Sequence, residues 1–281
     1  MRIRHFASLA AAIAASSGAA AQAQDAPRTI QLGEFLGLRT VQATIGGRTG
    51  SFILDTGGGV SVVGPDLASG AGCTPWGQIT GFRLTGERLT MPRCDDLAID
   101  IGGIALTAPS AGVLDLSTLM PPDAPKIDGL VALDGLQARP FTLELGAGRL
   151  TVETPASLAE RIRGAVEVPI RLHRQAGGAS LTVMARVMTP RGPLWMQLDS
   201  GSAAPILVAR TSAEPLGLDP DTARQPLHLA IAGTDGGVVE ADVPATVREM
   251  IIDGNIGLPV MRDWIMTFDL QAQRLWIRLA G

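Results

Sequence analysis

The 281-residue chain is predicted to be an all-β protein of two similar lobes. Three observations predict it. Short apolar or alternating runs are broken at close intervals by Gly, Pro and Asp, an internal repeat relates the two halves, and each half carries one Asp-hydroxyl-Gly turn at the equivalent place.

The N-terminus is read first. MRIRHF supplies positive charge, ASLAAAIAASSGAAA an apolar stretch, and Ala21-Gln22-Ala23 an A-x-A cleavage site, so residues 1–23 read as a signal peptide. The stretch is short, Ala-rich and broken by Ser16, Ser17 and Gly18, which disfavours a spanning anchor. The expected destination is the periplasm or the exterior, with no stable membrane insertion after cleavage. Loss of Arg2 and Arg4 moves the formal charge from −4 to −6, and no basic run or aromatic-basic patch follows, so nucleic acid is not an expected partner. Lys126 is the only Lys, and there is no Tyr.

Residues 24–37 read as an N-terminal extension and 38–153 as the first lobe. Strands are expected at Thr40–Ile45, Ser51–Leu54, Leu97–Ile101, Ile104–Thr107, Phe141–Leu145 and Arg149–Val152. Gly46-Gly47, Gly102-Gly103 and Asp235-Gly236 supply residues that tolerate the positive φ of tight hairpin turns. Cys73 and Cys94 are expected to form a bridge in an oxidising compartment, worth about 3 kcal/mol in the chain-entropy model; a buried free pair is the alternative. There is no CxxC, and these two Cys with His173 and His228 do not make metal-ligand spacing.

TPASLAERIRG is the one helical segment that stands out, with Thr154 as N-cap, Pro155 at the first helical position and Gly164 as the stop. Residues 154–165 therefore read as a connector, and 166–281 as the second lobe, with strands at Leu181–Val187, Leu194–Leu198, Val238–Val243 and Arg274–Arg278.

The halves repeat each other. DGLVALDGLQARPFTLELGAGRLTV from Asp128 aligns without a gap on DGNIGLPVMRDWIMTFDLQAQRLWI from Asp253, with Gly129/Gly254, Leu133/Leu258, Thr142/Thr267 and Arg149/Arg274 among the identities. Upstream, TVQATI at Thr40 matches TVMARV at Thr182. Each run leads through a Gly-containing turn and an apolar strand into FILDTGGGVSVV around Asp55 or WMQLDSGSAAPILV around Asp199. One such turn is weak evidence, because turns use these residues everywhere; two at equivalent places in a repeat are strong.

Each half resembles one lobe of the pepsin and retropepsin clan of aspartic proteases, whose lobe carries an apolar strand, an Asp-Thr/Ser-Gly turn and a later hydrophobic-hydrophobic-Gly element. Ile256-Gly257 matches that later element, whereas Val131-Ala132 puts Ala in place of Gly. The resemblance covers nearly all of the chain after residue 23 and implies a two-lobed pepsin-like fold, each lobe a retropepsin-like β-barrel. It also implies a catalytic dyad of Asp55 and Asp199. Two carboxylates a hydrogen bond apart cannot both ionise cheaply, so the pair shares one proton. One member then acts as base toward a water while the other donates to the peptide carbonyl, and no metal, cofactor or covalent nucleophile is required. Gly57 and Gly201 would let the turns present the carboxylates face to face. By the same resemblance, Thr56 and Ser200 would hydrogen-bond across to the opposite turn.

Two departures are visible. Pepsins place Ser or Thr directly after each turn to support the carboxylate; Ser202 fits and Gly58 does not. A turn lacking that donor should hold its Asp at a higher pKa, which leads to an expected optimum in the weakly acidic range. A flap tyrosine is impossible, so the hairpin between Trp76 and Cys94 must cover the cleft otherwise; Trp76 and Phe82 are the available aromatics, although isolated aromatics are more often core. Serine hydrolysis lacks a G-x-S-x-G elbow, and Gly57-Gly58-Gly59 lacks the Lys of a phosphate loop. Asp95, Asp96, Asp219 and Asp221 read as solvated loop residues. The expected function is an aspartic endopeptidase acting on polypeptides as a monomer. The alternative is a non-catalytic pepsin-like protein that binds a peptide or partner protein in the interlobe cleft.

Overall fold

The computed structural model describes residues 26–281. The signal-peptide reading of residues 1–23 lies outside the described residues. The chain folds into three sheets, all-β as expected, with two lobe sheets and a third shared between the halves.

The first lobe is an eight-stranded sheet holding Leu38–Ile45, Arg48–Leu54, Arg88–Ile101 and Ile104–Val113. Alternation explains these strands. Along Ile104–Val113, Ile104, Leu106, Ala108 and Ser110 are buried while Ala105, Thr107 and Pro109 face out. The hairpins close on Gly46-Gly47, at φ +56° and +76°, and Gly102-Gly103, at +62° and +83°, where two successive positive φ values exclude most side chains. The second lobe is a seven-stranded sheet built around Thr182–Thr189 and Gly192–Asp199. All ten runs expected as strands are strands, most extending further than the sequence suggested.

The six-stranded third sheet joins the halves. Phe141–Glu144 pairs antiparallel with its repeat equivalent Trp264–Asp269, in a register that sets Thr142 opposite Thr267, Phe141 opposite Phe268 and Leu143 opposite Met266. Because Thr142 and Thr267 are equivalent in the repeat, the pseudo-twofold axis passes between them. Their hydroxyls lie 3.0 Å apart, and Phe141 stacks on Phe268 at 5.0 Å.

The segment read as an N-terminal extension is built in. Arg28–Gln31 pairs with Arg149–Val152 in the shared sheet, and Gly33–Phe35 joins the first-lobe sheet. The connector helix runs Pro155–Arg161, with the Thr154 hydroxyl accepting from Ser157 N and the Ser157 side chain reaching back in a capping box. Cys73 and Cys94 form a disulfide, with Cα atoms 6.1 Å apart. No helix of the described residues is long and apolar enough to cross a membrane.

Candidate active site

Two pseudo-equivalent parallel strand pairs place the two Asp turns. Arg48–Leu54 runs beside Gly129–Val131, and Gly192–Asp199 beside Gly254–Gly257. The turns meet at the axis in a reciprocal lock. Thr56 N donates to Ser200 Oγ at 3.0 Å and Ser200 N donates to Thr56 Oγ1 at 3.0 Å. The hydroxyls then donate onward, Thr56 to Leu198 O at 2.8 Å and Ser200 to Leu54 O at 2.7 Å. All four bonds are buried, where hydrogen bonds are strongest and least dispensable.

The lock brings the Asp55 and Asp199 carboxyls into contact. Each accepts from the glycine two residues on, Gly57 N to Asp55 Oδ1 and Gly201 N to Asp199 Oδ1, both at 2.9 Å. Neither glycine can be replaced: a Cβ on Gly57 would overlap the Asp199 carboxyl, and one on Gly201 the Asp55 carboxyl. Burial raises the Asp199 carboxyl well above the usual carboxylate range, and the neighbouring Asp55 charge raises it further. Burial also raises Asp55, but the N–H groups of Gly57, Gly58 and Gly201 and a hydrogen bond with Asp199 hold it down. Burial thus raises both carboxyls, and the touching pair shares one proton.

Ser202 does not act as expected. Its hydroxyl has no hydrogen-bond partner among the described residues; it serves the turn through its backbone, N donating to Asp199 O at 3.3 Å and O accepting from Leu258 N at 3.0 Å. Asp199 instead has the Gly201 N–H and, close by, the Asn255 amide, which favours its ionised form.

The Ala that replaces Gly in the first half has a structural cause. In the second lobe Gly257 N donates to the Pro205 carbonyl at 2.8 Å, and a Cβ there would run into the Ala204 carbonyl. In the first lobe the equivalent bond is made by a side chain: Ala132 N donates to Ser61 Oγ at 3.1 Å, which leaves room for the methyl. Ser61 is in turn clamped by Asp134, its hydroxyl donating to Oδ1 at 2.7 Å and its N–H to Oδ2 at 3.0 Å. The sequence reading missed this buried pair, although the repeat carries a signal: Pro205 and Pro259 stand at the equivalent places. It also missed Gln197 and Asn255, buried polar residues beside the Asp199 turn.

Above the dyad lies a cleft of about 700 Å³ that reaches Asp55, Asp199 and both turn glycines. A hairpin of Trp76–Phe82 and Arg88–Ile101 covers it, and the hairpin tip is tied to the second lobe by Ile251 N donating to Leu84 O at 3.0 Å. Phe82, Leu84 and Leu89 line the cleft in place of a tyrosine. Neither Trp76 nor Phe82 is core, at 54% and 53% exposure. Trp76 lies outside the cleft, with its indole N–H donating to Asp95 at 3.1 Å and the Arg93 guanidinium 4.1 Å from its ring centre.

Residues 41–135 match the family model described as aspartyl protease, a span that covers the first Asp turn, the hairpin cover and the Ser61–Asp134 clamp. No curated protein matches the sequence. Among solved structures, the crystal structure of basic 7S globulin from soybean is similar over 91% of this chain and 95% of that one, with a TM-score of 0.61 at 11% identity, a likeness of fold alone. Residues 41–135 are thus similar in sequence to aspartyl proteases, and the chain as a whole has the two-lobed, pepsin-like fold expected from its sequence.

Proposed function

We propose that the protein is an aspartic endopeptidase that hydrolyses polypeptides with water activated between Asp55 and Asp199. The observation that carries this reading is the pair of touching, buried carboxyls held by the Thr56–Ser200 lock. Asp55, ionised, takes a proton from a water lying between the two groups. Asp199, protonated, donates to the carbonyl oxygen of the scissile peptide as the water oxygen adds to its carbon. The tetrahedral intermediate then collapses as the amine leaves with a proton, and the dyad returns to its single-proton form. The backbone N–H groups around Asp55 favour its charge, so the base is held ready without a cation.

Peptide-library digestion with the wild type, Asp55→Asn and Asp199→Asn tests the reading. Each variant should lose cleavage by about 10³-fold or more while circular dichroism stays that of the wild type. Cleavage surviving in either folded variant would remove the dyad assignment. The reading extends to an exported monomer. The Cys73–Cys94 bridge supports an oxidising compartment, and the presence of both turns in one chain supports activity without a partner subunit. Sedimentation of active enzyme should give the mass of one chain; activity found only in a dimer fraction would refute the monomer.

A further inference from the structure

The pseudo-twofold axis relates two strand pairs that floor the cleft on either side of the dyad, and the pairs differ in chemistry. In the first lobe Ile53 stands opposite Leu130; in the second, Gln197 stands opposite Asn255. The repeat makes Ile53 equivalent to Gln197 and Leu130 equivalent to Asn255. Side chains two apart on a strand share a face, as do register partners on neighbouring strands, so each pair lies on the face that carries its aspartate. Leu130 and Gln197 reach the cleft, with Ile53 and Asn255 backing them.

The first-lobe wall continues the aliphatic surface through Val60, Val62, Ile79, Met91 and Leu116. The cleft residues of the second half are more polar, with His173, Gln175, Ser180, Thr182 and Arg248; Ala176, Leu207, Ile251 and Ile252 are their apolar members. Asn255, 0% exposed, has its amide beside the Asp199 carboxyl but makes no hydrogen bond of standard geometry among the described residues. Gln197, 5% exposed, makes one long bond, Nε2 to Gly57 O at 3.4 Å, and its Oε1 has no partner among the described residues. A buried amide left unpaired is costly, and for Gln197 the cleft is the side from which a ligand can pair it.

We propose that the cleft selects the two residues flanking the scissile bond by opposite chemistries: a large aliphatic or aromatic side chain against Leu130, and a hydrogen-bonding amide or hydroxyl side chain against Gln197. The proposal rests on the peptidase reading for its cleavage arm but not for its binding arm.

The experiment pairs the two arms. Peptide-library digestion by the wild type should give cuts with a large apolar residue on one side of the bond and Asn, Gln, Ser or Thr enriched on the other. Gln197→Ile and the double change Gln197→Ile with Asn255→Leu install the residues of the first half. They should swing the ratio of kcat/KM for an apolar-apolar peptide over an apolar-amide peptide at least tenfold, a ratio that general loss of active protein does not move. In parallel, two peptides with a non-hydrolysable hydroxyethylene at their centre, flanked by Leu and Leu or by Leu and Asn, are titrated by calorimetry. Wild type should bind the Leu-Asn peptide tighter, and Gln197→Ile should reverse the order. Should the wild type bind with that preference yet cleave nothing, the peptidase reading falls and the selectivity stands. Cleavage or binding without the asymmetry, or no binding of either peptide, overturns the proposal.

Discussion

Gly58 and Ser202 occupy the same step of the two turns, and together they show what one residue decides here. Ser202 spends its backbone on the turn and leaves its hydroxyl unused, so neither carboxyl is supported by a hydroxyl at this step. A side chain can be added at Gly58. Its φ is not positive, and a Cβ there meets Asp55 Oδ2 and Leu130 Cδ1 at 3.0 Å, close enough for a serine hydroxyl to donate to Asp55 after a small shift. A hydroxyl donated to Asp55 favours the ionised form of the pair, so the substitution should shift the pH–rate profile toward acid. An unchanged profile in an active Gly58→Ser enzyme would refute the argument from this missing donor. Asp134 gives a second prediction. Asp134→Ala leaves the buried N–H groups of Ser61 and Gly135 and the Ser61 hydroxyl without their acceptor, and should cost about 2–3 kcal/mol in urea unfolding. The dyad and its glycines were legible in the sequence because they form a repeated motif. Asp134 and Asn255 were not, because each stands at a place where the two halves differ and neither has a motif of its own.

At the scale of elements, the cover hairpin and the disulfide belong together. Cys94 lies on the long strand Arg88–Ile101, whose first part is one arm of the hairpin, and Cys73 lies in the loop after the helix Pro65–Gly70. The bridge fixes the base of the arm while the tip is held by the Leu84–Ile251 bond. Replacing both Cys by Ser should lower unfolding stability by about 3 kcal/mol, from the 21-residue separation closed by the bridge. Chemical denaturation of the variant matching that of the native protein would show that the bridge contributes nothing. Strand positions were readable wherever polar and apolar residues alternate and glycines mark the hairpins. Arg28–Gln31 escaped notice because only Ile30 is even partly buried and its pairing partner, Arg149–Val152, lies more than a hundred residues away. Of the two aromatics offered as cover, Phe82 lines the cleft and Trp76 does not; both stand on a hairpin that projects from the lobe, a fact of sheet topology that composition does not express.

Over the whole molecule, the axis through Thr142–Thr267 and the Thr56–Ser200 lock makes the dyad the point where both lobes are joined, and stability is therefore linked to its protonation. Asp199 has its carboxyl raised, chiefly by burial. A group of that kind contributes its full stability below the ordinary carboxylate range and loses it as pH rises through the raised value. Asp199→Asn removes the titration, so its melting temperature should gain on the wild type as pH is raised from about 4 to about 8. A difference that stays flat over that range would contradict the burial of the proton. The axis has one more consequence. A cleft made of two identical halves accepts an extended chain equally well in either N-to-C sense, since rotation by half a turn restores the same surroundings. Here the same rotation exchanges Leu130 for Asn255 and Ile53 for Gln197, so the two senses differ in energy. Joining the halves in one polypeptide allows them to diverge, and through that divergence the cleft acquires a polarity, with a head and a tail for whatever threads it.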